Sequence, residues 1–213
     1  MKIYFWLAIT FFMGVSAGAA GTETVRDETS IHAMAYRIGD AVANFSLRNI
    51  DGNIVSLNDF TDKKGVVVIF TSNHCPFAKA YEDRILALNN KFSNQGFPVI
   101  AVNPSDPAIH QDDSFEKMKE RSSSKGYTFP YLVDEAQRVS KSFGASRTPE
   151  VYILQKRGSK FTLEYMGMID DNPQDPAGAT KFYVDEAVTN LLQGKPVVTT
   201  VTKPIGCVIK LKD

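Results

Sequence analysis

Two cysteines, Cys75 and Cys207, are the only thiols in the 213 residues. Cys75 follows a polar turn, Thr71-Ser72-Asn73-His74, and directly precedes Pro76. Proline suits the first position of a helix, where its missing N–H costs nothing. A cysteine at a helix start meets unpaired N–H groups and roughly half a positive charge, which favour thiolate over thiol. The thiolate is the form that attacks peroxides and disulfides. The bland alternative is a buried, inert thiol, since free cysteine is among the most buried residue types.

Such a turn needs a strand behind it and a helix ahead. Val66 to Phe70 is a short β-branched run bounded by Gly65, as expected of a strand covered on both faces. Phe77, Tyr81, Ile85, Leu88 and Phe92 recur at helical spacing, and Gly96 marks the stop. Before them, Phe45 to Leu57 reads as a hairpin around Asp51-Gly52. After them come a strand at Val99 to Val102 and a polar helix ending near Gly126, opened by Asp113-x-x-Glu116 as a capping box. A shorter helix carries Val139 and Phe143. Strands follow at Val151 to Leu154 and Phe161 to Met166, then a last helix with Val184, Val188 and Leu191. Parallel crossovers followed by an antiparallel hairpin predict one α/β sandwich of three layers, with a mixed central sheet flanked by helices. An N-terminal β-hairpin and a C-terminal tail complete it.

The strand, the turn Ser72-Asn73-His74-Cys75-Pro76 and the helix resemble the active-site turn of the thioredoxin-like superfamily. Arg147-Thr148-Pro149 resembles that superfamily's cis-proline loop, which faces the active cysteine and lays an extended edge beside it for a substrate. The hairpin at 45–57 and the extra helix at 136–143 are similar to the redoxin branch, the AhpC/TSA or peroxiredoxin-like proteins. The resemblance covers roughly residues 40–193. It implies a thiol oxidoreductase with Cys75 as nucleophile on peroxide or disulfide substrates, an external thiol reductant, and Ser72, Arg147, Thr148 and Pro149 positioning the substrate. Two departures stand out. Thioredoxins carry a second cysteine where this chain has Ala78, and the peroxiredoxin pattern Pro-x-x-x-Thr-x-x-Cys meets Val68, Ser72 and Cys75. Ser72 also reads as a turn hydrogen-bonder, Arg147 as a solvated loop charge, and His74 as a surface histidine.

Cys207 lies in the tail beyond Gly194. An extended chain of that length reaches ~40 Å, enough to cross the domain or meet another subunit. The resemblance to two-cysteine peroxiredoxins makes Cys207 a resolving cysteine that condenses with a sulfenic acid on Cys75. The other reading is a tail cysteine packed on the sheet. A rival for the whole protein is a non-catalytic thioredoxin-fold module that binds a peptide or protein beside Pro149.

Residues 1–19 read as a secretory signal, with Lys2, an apolar run from Ile3 to Val15 and Ala17-Gly18-Ala19 at the cleavage site. Residues 20–39 form a polar lead-in, 40–194 the redoxin domain and 195–213 the tail. The expected product is exported, periplasmic or secreted, and soluble after cleavage. With 24 basic and 24 acidic residues and no basic cluster, nucleic-acid binding is not expected. Neither is a metal or cofactor. Asp170-Asp171-Asn172-Pro173-Gln174-Asp175 lacks the glycine of a calcium loop, and Cys75 has no cysteine near it for copper. Oligomeric state is not legible.

Overall fold

A computed structural model describes Met1 and residues 35–212. The signal sequence and most of the lead-in therefore lie outside the described residues, Met1 apart. No helix among the described residues is long and apolar enough to cross a membrane.

Strands β4 (Gly65–Phe70) and β5 (Val99–Asn103) lie parallel at the centre and are buried along their whole length. Alternate side chains of a strand face opposite sides, so β4 feeds two cores at once. Val67 and Ile69 face α1 (Pro76–Phe92) and α4 (Tyr183–Leu192), whereas Val66, Val68 and Phe70 face α3 (Arg138–Phe143). Phe143 closes this second core, its ring edge-on to Phe70 and Tyr152 at 5.5 and 5.1 Å between centroids. Helices on both faces of a mixed sheet make three layers, as the sequence pattern predicts.

The full sheet runs β1-β9-β8-β4-β5-β6-β2-β3. Its outer members are β1 (Ala41–Val42), the hairpin β2 (Ser46–Asn49) and β3 (Ile54–Ser56), and the antiparallel pair β8 (Glu150–Arg157) and β9 (Lys160–Gly167). Strand β6 (Tyr131–Val133) was not anticipated. It lies parallel to β5 and joins the N-terminal hairpin to the sheet. Tyr36 and Ile38 already pack on the second core, so the folded body begins before residue 40.

Helix α1 is fixed by ion pairs to buried carboxylates as well as by its apolar face. Buried Glu82 accepts both Nε and Nη2 of Arg121 on α2 (Phe115–Lys125), at 2.6 and 2.7 Å. Arg84 donates to Asp170 at 2.6 Å, and Tyr81 donates to the same carboxylate at 2.7 Å. The acidic stretch at 170–175 is thus a turn that grips α1. The paired charges hold the start of this helix, and so Cys75, in a set place relative to the sheet.

Candidate active site

Cys75 occupies the N-cap of α1, with Pro76 as the first helical residue. The thiol is fully buried and donates to the carbonyl oxygen of Thr148 at 3.1 Å. The Thr148–Pro149 peptide bond is cis. Ser72 shares a hydrogen bond of 2.9 Å with the Thr148 hydroxyl, tying the cysteine turn to the proline loop. Glu150 fixes the other side of that loop. Its carboxylate accepts the backbone N–H groups of Ser146 and Arg147 at 2.8 and 3.1 Å and the Tyr152 hydroxyl at 2.9 Å.

The tail crosses the domain within the same chain. After α4, Met166 exchanges backbone hydrogen bonds with Thr200 and Thr202. Strand β10 (Cys207–Val208) then pairs antiparallel with β7 (Arg147–Thr148), with Cys207 opposite Thr148 and Val208 opposite Arg147. Beyond it Ile209 is buried in the second core, and Gln137 holds the end. Gln137 Nε2 donates to the carbonyl of Lys210 at 2.9 Å, and its Oε1 accepts the N–H of Lys212 at 2.6 Å. Arg147 is part-buried, and its Nη1 donates to the Gly206 carbonyl at 2.8 Å.

This path sets Cys207 opposite Thr148, the residue whose carbonyl accepts the Cys75 thiol, so both cysteines meet at one point of the proline loop. Burial first, and then the neighbouring Cys75, push Cys207 from 9.0 up to about 12. Arg147 opposes them weakly. A thiol whose folded pKa is raised contributes stability that is complete below about pH 9 and is lost as pH climbs toward about 12. Under reducing conditions, the stability of the parent minus that of Cys207→Ser should therefore fall steadily above pH 9. Urea unfolding of both chains across that range measures it, and a flat difference would contradict docked, protonated Cys207.

Sequence reading missed the group that holds the turn from the other side. Asp113 does not cap α2; Ser114 does, accepting from the N–H of Lys117. Asp113 is buried, and its Oδ1 accepts the backbone N–H of Asn73 at 2.6 Å and Asn103 Nδ2 at 2.9 Å. Its Oδ2 pairs with His74 Nδ1. Tyr131 donates to Asn73 Oδ1 at 3.0 Å and accepts from Asn103. The expectation of a surface His74 is corrected accordingly: its ring is largely covered, paired to Asp113 and stacked on His110 at 3.7 Å. His110 is held below its ordinary value, first by burial and then by the charge of His74. The clue was the second acid in Asp112-Asp113-Ser114, since a serine free to cap leaves the preceding aspartate for other work.

A three-layer sandwich whose helix-opening cysteine abuts a cis-proline loop is a thioredoxin-like fold. Its relatives narrow the class. Residues 38–160 match the AhpC/TSA family, and the chain belongs to that family. It is 23% identical over 166 residues to the thiol-disulfide oxidoreductase ResA of Halalkalibacterium halodurans, covering 78% of this chain and 89% of that one. It is 29% identical over 159 residues to the chloroplastic peroxiredoxin Q of Oryza sativa subsp. japonica, covering 67% of this chain and 64% of that one. Among solved structures, an uncharacterized conserved protein from Geobacillus kaustophilus superposes with a TM-score of 0.76 at 35% identity, covering 83% of this chain and 93% of the other.

Proposed function

We propose that this protein is an exported thiol oxidoreductase in which Cys75 is the redox nucleophile and Cys207 the resolving thiol. The observation that carries the reading is the placement of Cys207, by pairing β10 on β7, opposite the same Thr148 whose carbonyl accepts the Cys75 thiol. Membership of the AhpC/TSA family supports it, as do relatives named for both reaction types. Export rests on the signal-like residues 1–19.

In the peroxide cycle the Cys75 thiolate attacks one peroxide oxygen. The O–O bond breaks, sulfenic acid forms, and hydroxide leaves and takes up a proton as water. Cys207 then attacks the Cys75 sulfur, an S–S bond forms and a second water departs. Two electrons from an external thiol restore both cysteines. With a disulfide substrate, Cys75 displaces one thiolate and Cys207 displaces the other from the mixed disulfide. Ser72, Thr148 and Pro149 hold the cysteine turn against the proline loop, and Arg147 holds the tail.

Substoichiometric hydrogen peroxide should give a Cys75–Cys207 disulfide within one chain, seen by mass spectrometry of peptides containing residues 75 and 207. A slow reaction with peroxide but a ready mixed disulfide on Cys75 would assign disulfide exchange instead. Two unmodified cysteines under both oxidants would overturn the reading and leave a non-catalytic binding module.

A further inference from the structure

We propose that the tail segment 205–208 is a built-in peptide occupying the edge on which an extended substrate would pair, and that Gly206, by permitting this, makes Cys75 selective for small oxidants over peptide disulfides. The proposal rests on the thiol reading above and adds its substrate class.

The edge in question is the backbone of Arg147 and Thr148 beside Pro149. Extended peptides bind by adding a strand to such an edge, and main-chain hydrogen bonds provide the affinity. Here the edge is already paired: β7 and β10 form a two-stranded sheet of their own. Gly206 fits because it has no side chain. A Cβ at this position would lie 2.1 Å from the Thr148 carbonyl oxygen and 3.2 Å from the Pro149 nitrogen. That carbonyl is the one that accepts the Cys75 thiol, so it cannot retreat without disturbing the sulfur. Arg147 adds its bond to the Gly206 carbonyl.

The segment is anchored on both sides. Upstream, Thr202 packs so closely on Gly167 that a Cβ there would lie 2.2 Å from its Oγ1, which also accepts the Met168 N–H at 2.8 Å. Downstream, Ile209 donates to Ser146 O at 2.9 Å and is buried. A strand held at both ends competes for the edge at an effective concentration of ~mM. An incoming peptide must displace it before its disulfide reaches Cys75, which has no exposed surface. Hydrogen peroxide needs no strand edge and needs only a path for a molecule little larger than water.

The test uses the full chain with Cys207→Ser, so that Cys75 is the single reacting thiol. Two single-turnover rate constants are measured. One is for hydrogen peroxide, which loses its O–O bond and leaves sulfenic acid on Cys75 plus water. The other is for an extended hexapeptide carrying a central cysteine as its glutathione mixed disulfide. Its S–S bond breaks, Cys75 takes one sulfur, and the other departs as a thiolate that is then protonated. Gly206→Val should raise the ratio of peptide to peroxide rate constants about tenfold or more, the change expected from losing a few net hydrogen bonds and contacts of the docked strand. Arg147→Ala, which leaves the glycine contact intact, should raise it about threefold and decides the matter if the valine variant does not fold. A ratio within about 1.5-fold of the parent in both folded variants overturns the built-in peptide while leaving the redox reading standing. Failure of Cys75 to react with either oxidant in every chain overturns the redox reading and this proposal with it.

Discussion

Cys75→Ser is expected to abolish thiol-dependent turnover, by about a thousandfold or more, because the only nucleophile at the helix start is gone. Cys207→Ser should fail differently. The first attack on peroxide proceeds, but no other protein thiol is available to close the disulfide, since the position three residues after Cys75 is Ala78. Sulfenic acid then persists or advances to sulfinic acid. Peroxide consumption with dithiothreitol as reductant measures the first effect, and mass spectrometry of the Cys75 peptide the second. Retention of turnover by Cys75→Ser would remove the cysteine from the mechanism. A clean disulfide-free cycle in Cys207→Ser would remove the tail from it.

Asp113→Ala should be the most damaging single change away from the thiols. It deletes the acceptor of Asn73 N–H and Asn103 Nδ2, both buried, and the partner of half-buried His74. Leaving a buried donor without its acceptor costs about 1–3 kcal/mol for each donor. Asp113→Asn keeps one acceptor oxygen and should cost only about 1–2 kcal/mol. Urea unfolding separates them. A loss below about 1 kcal/mol in the alanine variant would show that the Asn73–His74–Cys75 turn is held by its own backbone.

The contrast between Cys75 and Asp113 marks how far a sequence can be read. Buried strands such as Val66 to Phe70, and a helix face repeating over four turns, are periodic signals that outlast local noise. A proline after a cysteine fixes where the helix begins. Those features carried the sandwich and the position of Cys75. Strand β6 is only three residues long, Tyr131–Val133, too short to show a period. Asp113 shares its spacing to Glu116 with a capping box, and only the fold shows Ser114 taking the cap while the aspartate turns inward. His74 reads as exposed because the aspartate and histidine that cover it lie on a distant loop. The tail is the extreme case. Composition gives its reach, but its path depends on Gly167 and Gly206, whose role is to leave space, and space has no signature in a hydropathy pattern.

Those two glycine contacts also make the tail a ruler. Thr202 is pegged at Gly167 and Gly206 at Thr148, and only Lys203, Pro204 and Ile205 lie between the pegs. Side chains along a strand alternate in direction, so a shift of one residue reverses the face each presents. One residue more or fewer in that interval, with the Thr202 anchor kept, would bring Gly206 or Val208 to the place opposite Thr148 that Cys207 now holds. The spacing of three residues between two crowded contacts, rather than the mere presence of a second cysteine, thus determines which side chain stands opposite Thr148, the residue that holds the Cys75 thiol.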